Sequence, residues 1–173
     1  MVHANGNIPV NLAIQSGCDS IEHGFFMGLD NLKIMADKQI AWIPTAYTMK
    51  SYSEILKNKN PEYDICRRNY FDQLEQINYA KNAGVIVLPG SDAGTCGIDH
   101  GQGLIQELKV LSEVGYSVQN LIKMAAYNSA RHSDFEENFI IKPDNIASFI
   151  AVKGKPEELI DNLLMNKIVY KFE

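Results

Sequence analysis

The strongest constraint on this chain is an alternation. Short apolar runs end in a polar residue, and each is followed by a segment of helical period. Val85-Ile86-Val87-Leu88 is the clearest run, and it leads into Pro89-Gly90-Ser91-Asp92-Ala93-Gly94. Ile40-Ala41-Trp42-Ile43 is another, closed by Pro44, which cannot donate to a sheet ladder and forces the chain out. Residues 19–23 form a third, closed by Gly24, and Met1-Val2 before His3 is a short first one. The intervening segments read as helices. Pro9 suits a first helical turn and Gly17 a stop. Asp30 is expected to cap a helix holding Leu32, Ile34 and Met35. Pro61 opens a longer helix in which Ile65, Tyr70, Leu74, Ile77 and Ala80 recur at helical spacing up to Gly84. The polar stretch 50–60 reads as a long surface loop or a broken helix. Apolar strands alternating with helices make βαβ units and a parallel sheet, so the fold class is α/β.

The pattern changes toward the end. A glycine-rich loop precedes an amphipathic helix over residues 104–114, and Ser117 is placed to cap a second over 118–130. Residues 148–152 and 167–172 read as strands, separated by a short helix over 156–164. No connection between them is long enough for a parallel crossover, so they are expected to form a small separate layer. The expected division is a main domain over residues 1–136 and tail strands over 137–173.

Composition narrows the function classes. Apolar residues make up 46% and charged residues 21%, which excludes disordered and fibrous architectures. A net charge of −5 argues against nucleic acid or an anionic membrane surface as partner. No apolar run reaches the ~18 residues of a membrane span, and the first residues lack the features of a secretory signal. Cys18, Cys66 and Cys96 are widely spaced, with no Cys-x-x-Cys pair, so a reducing, cytoplasmic setting is expected.

Chemistry concentrates at the strand ends. His3, His23 and Asp92 each follow an apolar run, and the carboxyl ends of parallel strands face one mouth. Imidazole and carboxylate suit Zn²⁺, and also Mn²⁺, Fe²⁺ or Co²⁺. Each residue alone also fits a packed histidine or a plain turn. Asn5 reads as a turn former, and Glu22 as a structural partner to a flanking helix on the face opposite His23. Thr45 and Tyr47 follow the third run and are candidates for lining a pocket. The glycines between 94 and 103 match no phosphate loop, and His132 reads as a surface residue.

Several motifs together resemble the metal-dependent amidohydrolase superfamily, closest to its imidazolonepropionase-like and Xaa-Pro-dipeptidase-like branch. They are Val2-His3-Ala4-Asn5-Gly6, Ser20-Ile21-Glu22-His23-Gly24 and Gly90-Ser91-Asp92-Ala93-Gly94. The similarity continues through Asp99-His100-Gly101, Glu107-Leu108, Ala125-Ala126-Tyr127-Asn128-Ser129-Ala130 and the tail at Ala147-Ser148-Phe149-Ile150-Ala151-Val152. The resemblance implies a TIM-like (β/α)8 barrel, here only its C-terminal half, strands five to eight, plus tail strands of a small β-sandwich. It implies His3 and His23 as metal ligands from strands five and six. It makes Asp92 both the strand-eight ligand and the proton-shuttling catalytic acid. His100, in the loop roofing the site, would contact substrate. The implied activity is hydrolysis of a C–N bond in an amide, cyclic amide or dipeptide by metal-activated water, most simply with Zn²⁺.

The same resemblance defines what the chain lacks. No His-x-His pair occurs in it, and a strand-four bridging ligand has no candidate. A full barrel needs about 250 residues against 173 here. A half barrel leaves open strand edges, so a homo-oligomer or a missing N-terminal half is the expected partner. Ser148, Asp144 and His132-Ser133 depart from the family pattern. The alternative reading is a non-catalytic remnant or assembly module that keeps the fold.

Overall fold

A computed structural model describes the chain except for residues 57–60, 136–140, 144–147, 166 and 172–173. The end of the stretch 50–60, together with Asp144, Ala147 and Phe172, therefore lies outside the described residues. The chain divides into two compact units, Met1–Gly115 and Tyr116–Glu173.

The first unit runs β1 (Val2–Ala4), α1 (Asn7–Gln15), β2 (Ser20–His23), α2 (Leu29–Lys38) and β3 (Ala41–Ile43). It continues through α3 (Tyr47–Leu56), α4 (Pro61–Ala83), β4 (Ile86–Val87) and α5 (Gln102–Glu113). The four strands form one sheet in the order β1-β2-β3-β4, and every pair is parallel. This is the α/β arrangement that the alternating runs predict. The run 85–88 is shorter as a strand than its composition implies, with only Ile86 and Val87 in the ladder. Pairing nevertheless continues, because the Leu88 N–H donates to the Trp42 carbonyl at 2.9 Å.

The core of this unit gathers Val10, Ile14, Ile21, Met27, Leu32, Met35, Trp42, Ile77 and Leu111, all fully buried. Strand residues supply the sheet side and helical faces cover it, as a parallel sheet buried on both faces requires. Helix α1 keeps Pro9 in its first turn and ends before Gly17, whose φ of 78° closes the turn. Two expectations are corrected here, and one is decided between its alternatives. Asp30 is not a cap, because α2 begins after Gly28, and Asp30 sits inside the first turn bonded to Lys33. In the stretch 50–60 the helical alternative holds over residues 50–56, which belong to α3. On α4 the buried face carries Tyr70, Gln73, Gln76, Ile77 and Ala80, whereas Ile65 is 47% exposed.

The N-terminal half of helix α3 is fixed by polar contacts with α5, to which α4 is joined as well. Lys50 Nζ pairs with Glu113 at 2.9 Å, and the Tyr70 hydroxyl donates to the other Glu113 oxygen at 2.9 Å. At the N-terminus of α3 the Ala46 and Tyr47 N–H groups donate to the two oxygens of Glu107 at 3.0 and 2.8 Å. Glu107 is wholly buried, and its carboxylate takes the place of a local cap.

The second unit holds α6 (Val118–Lys123), a π-helical segment Met124–Asn128 and α7 (Ser129–His132) as one continuous helical run. Ser117 is its N-cap, accepting from the Asn120 N–H at 3.2 Å, as the sequence predicts. Beyond it, β5 (Ser148–Val152) pairs antiparallel with β6 (Lys167–Lys171) in a two-stranded sheet of their own. A 3₁₀ turn Pro156–Glu158 and α8 (Leu159–Asn162) separate the two strands.

Candidate functional site

His3 and His23 stand on adjacent parallel strands, and their rings meet edge to face with centroids 4.6 Å apart. Strand parity alone would not bring them together. In the β1–β2 register His3 pairs with Glu22, and Ala4 pairs with His23. Paired residues share a face and neighbours alternate, so an extended His23 would point away from His3. Instead His23 has a φ of 65°, the left-handed region, which re-aims its ring. Glu22, on the other parity, accepts from the Ser20 hydroxyl of its own strand at 2.9 Å, so its partner is that serine and not a flanking helix.

Holding His23 in this conformation takes contacts from two further elements. Trp42 Nε1 donates to the His23 carbonyl at 2.9 Å, and Gln73 Nε2 donates to the same oxygen at 2.6 Å. Gln73 also reaches the Pro44 carbonyl at 3.0 Å, so one buried amide on α4 joins the ends of β2 and β3. The following Gly24 has a φ of 61°, and a side chain there would run into Trp42 Nε1 at 2.8 Å and the Met27 methyl. The ring is held as well, because His23 Nδ1 lies 2.7 Å from the Thr45 hydroxyl.

Asp92 follows β4 on an exposed turn, with a φ of 49°. Its carboxylate accepts from the Thr95 hydroxyl at 3.0 Å, and its carbonyl accepts from the Thr95 N–H at 3.3 Å. His23, Thr45 and Asp92, at the ends of β2 and β3 and beyond β4, all hold left-handed backbone. Such conformations cost free energy and cluster where a fold positions functional groups. The Asp92 charge reaches His23: burial lowers the His23 pKa, Asp92 raises it, and the neighbouring His3 lowers it again. The net direction is downward, which keeps the ring neutral and able to donate a lone pair.

Two imidazoles at one mouth match the donor chemistry of a divalent transition ion. Among the described residues, however, no three His, Cys, Asp or Glu side chains stand together closely enough to hold a metal ion. The chain itself offers two histidine rings in contact, with the Asp92 charge acting on one of them.

The other candidates fall into place around it. His100 is exposed, and its Nε2 lies 3.9 Å from where a side chain on Gly94 would begin, over the Asp92 turn. The Asn5 side chain accepts from the Phe25 N–H at 3.0 Å, tying the exit of β1 to that of β2. Tyr47 is held by its backbone on Glu107. The sequence offered no role for Gln73, and Glu107 only as part of a resembling segment; an acid or amide on the apolar face of an amphipathic helix was the available signal. Cys18, Cys66 and Cys96 are all free thiols. A cleft of about 550 Å³ lies elsewhere, between Phe26, Leu29 and the α4 face of Asp72, Glu75 and Tyr79, and holds none of the strand-end residues. Among the described residues no helix is long and apolar enough to cross a membrane.

Comparison with known proteins agrees with this architecture. No family model matches the chain. An uncharacterized protein of Mycobacterium tuberculosis is 27% identical over 121 residues, which is 68% of this chain and 32% of that protein. A crystal structure of a Xaa-Pro dipeptidase with methionine bound in its active site superposes with a TM-score of 0.83 at 30% identity. That match covers 98% of this chain and 42% of the dipeptidase. An amidohydrolase crystal structure superposes with a TM-score of 0.78 at 24% identity, covering 98% of this chain and 42% of that one, a likeness of fold. The chain thus spans less than half the length of the proteins it matches. It is similar in fold to amidohydrolase-type structures, and its likeness to the dipeptidase extends to the sequence.

Proposed function

We propose that this chain is the strand-five-to-eight portion of a metal-dependent hydrolase that cleaves C–N bonds in small amides, cyclic amides or dipeptides. The carrying observation is the His3–His23 ring pair at 4.6 Å on adjacent parallel strands, with the Asp92 charge acting on His23. In this reading residues 1–136 are half of a (β/α)8 barrel, and residues 137–173 are tail strands of an accessory sandwich. His3 and His23 would hold a divalent ion, most simply Zn²⁺, and Asp92 would join them as a ligand only once the mouth is completed, since the three do not stand together as a ligand group among the described residues. The remaining ligands come from a missing N-terminal half or from a second copy of the chain.

A divalent ion at such a site supplies Lewis acidity toward a carbonyl and acidifies water at neutral pH. The protein's own part is proton handling. Asp92, exposed and with its charge reaching His23, takes the proton of the attacking water and returns it to the leaving nitrogen as the C–N bond breaks. His100, over the same turn, contacts the bound substrate. Free thiols fit a reducing, cytoplasmic setting.

The test is elemental analysis with a hydrolysis panel of amides and dipeptides on the purified chain, alone and with any co-purifying partner. Bound transition metal that is lost in His3→Ala and His23→Ala is expected. A chain that takes up no metal even on reconstitution overturns the reading. One observation favours a second reading, a non-catalytic assembly module: the described residues close no three-ligand group. Hydrolysis by the chain alone that is abolished by His23→Ala would exclude it.

A further inference from the structure

The cleft of about 550 Å³ between the turn after β2 and helix α4 has one apolar wall and one acidic wall. Phe26 and Leu29 form the apolar wall, and these large side chains remain 44% and 48% exposed. Tyr79 adds a second ring from α4. Asp72 and Glu75, two carboxylates on the same helix, form the acidic wall. Among the described residues no Lys, Arg or His lines the cleft. We propose that it binds a small organic ammonium ion, an amine with an apolar arm, its charge at Asp72 and Glu75 and its arm against Phe26, Leu29 and Tyr79. The cleft holds none of the strand-end residues, and its ligand does not rest on the hydrolase reading.

Three observations carry this assignment. The two walls are tied together by the protein itself. Asp72 accepts from the Phe26 N–H, and Gln76 Oε1 accepts from the Gly28 N–H at 3.2 Å. Gln76 Nε2 in turn donates to Asp72 at 2.9 Å. A site held in this way spares a ligand the cost of ordering it. The charge, secondly, is uncompensated. Among the described residues neither carboxylate pairs with a Lys or Arg, and Lys33 on α2 is engaged by Asp30 at 3.1 Å. Burial and the charge of Glu75 push the Asp72 carboxyl up, against the hydrogen bonds from Gln76 and Phe26. A cation relieves that repulsion, and the rings of Phe26 and Tyr79 add to its attraction. Size is the third. The volume falls within the roughly 300–1,000 Å³ of small-molecule sites, far more than a bare inorganic cation fills. The apolar wall therefore needs an occupant with an apolar arm.

The experiment titrates the full ¹⁵N-labelled chain with phenethylammonium, and in parallel with phenethyl alcohol and hydrocinnamate, its neutral and anionic analogues. Amide shifts locate the binding, and their saturation gives the affinity. Saturable shifts centred on Phe26, Gly28 and Glu75 are expected for the ammonium at millimolar concentration. The alcohol is expected to bind about 10-fold more weakly and the anion not at all. Glu75→Gln, at an exposed position, is expected to weaken the ammonium about 2- to 5-fold and leave the alcohol unchanged. Added salt is expected to weaken the ammonium alone. An ammonium that binds no better than the alcohol overturns the proposal. So does an ammonium affinity unchanged in Glu75→Gln, a set of shifts centred elsewhere, or the absence of saturable shifts. The comparison of the three probes uses the wild-type chain and requires no variant to fold.

Discussion

Glu107 is the place where a single substitution should report most clearly on the packing of the first unit. Its two oxygens satisfy the Ala46 and Tyr47 N–H groups at the start of α3, across about sixty residues of chain, as the separations of 61 and 60 record. Glu107→Ala leaves both donors without their acceptors in a buried environment. Each unsatisfied donor costs roughly 1–3 kcal/mol, so a loss of about 2–6 kcal/mol is expected, offset in part by no longer burying a carboxylate. Titration gives a sharper signature. Burial raises the Glu107 pKa from its ordinary 4.5 to about 7, against the opposing pull of the two N–H groups. The folded state therefore holds this proton more tightly than the unfolded chain does. The stability so contributed is full below pH 4.5 and is lost as pH rises to about 7. Over that window the change amounts to about 3 kcal/mol, at roughly 1.4 kcal/mol per unit. Glu107→Gln cannot titrate, so the stability difference between wild type and this variant should shift by about that amount between pH 5 and 7.5. Urea unfolding across this range measures it. Parallel pH profiles for wild type and Glu107→Gln, or a Glu107→Ala midpoint equal to wild type, would refute the reasoning.

Other outcomes follow from the same geometry. Gly24→Ala combines a φ of 61° with a Cβ placed against Trp42 Nε1 and the Met27 methyl, and should destabilise the first unit by about 2 kcal/mol or more in urea unfolding. Ser117→Ala removes the acceptor for the Asn120 N–H and should cost about 1 kcal/mol, read as weaker amide-exchange protection in α6. Burial, together with the hydrogen bond and charge of Glu113, raises the Tyr70 pKa well above the ordinary phenol value of 10. An ultraviolet titration should therefore show no difference between wild type and Tyr70→Phe near pH 10.

Much of the first unit was legible because its strands are short apolar runs punctuated by Gly, Pro and a polar residue. The same punctuation singled out His3, His23 and Asp92, of which His3 lies within β1, His23 ends β2 and Asp92 follows β4. The means by which His23 meets His3 was not legible. Alternation predicts opposite faces, and only the left-handed backbone at His23 reverses it. Helix α4 misled for a related reason. Helical spacing put Ile65 and Leu74 in the core, but Gln73 and Gln76 are buried instead. Their acceptors and donors, the His23 and Pro44 carbonyls and the Gly28 N–H, lie 29 to 50 residues away. A local pattern cannot display partners at that distance. Glu107 belongs to the same class. Thr45 was singled out as a pocket residue, but nothing in the sequence shows that its hydroxyl meets a histidine ring. Asp30 was misread because Gly28, not an Asx side chain, begins α2.

The amide of Gln73 also sets an order of events during folding. The β1–β2 and β2–β3 ladders close loops of about twenty residues, whereas Gln73 reaches the His23 carbonyl across 50. The entropy of closure favours the short loops first. Until α4 docks, the His23 carbonyl lacks one of its two donors and the Pro44 carbonyl lacks Gln73. The sheet can thus form early while the turn at His23 is only half secured, so the His3–His23 ring pair should become fixed late, with the docking of a helix that bonds the His23 backbone rather than a ring.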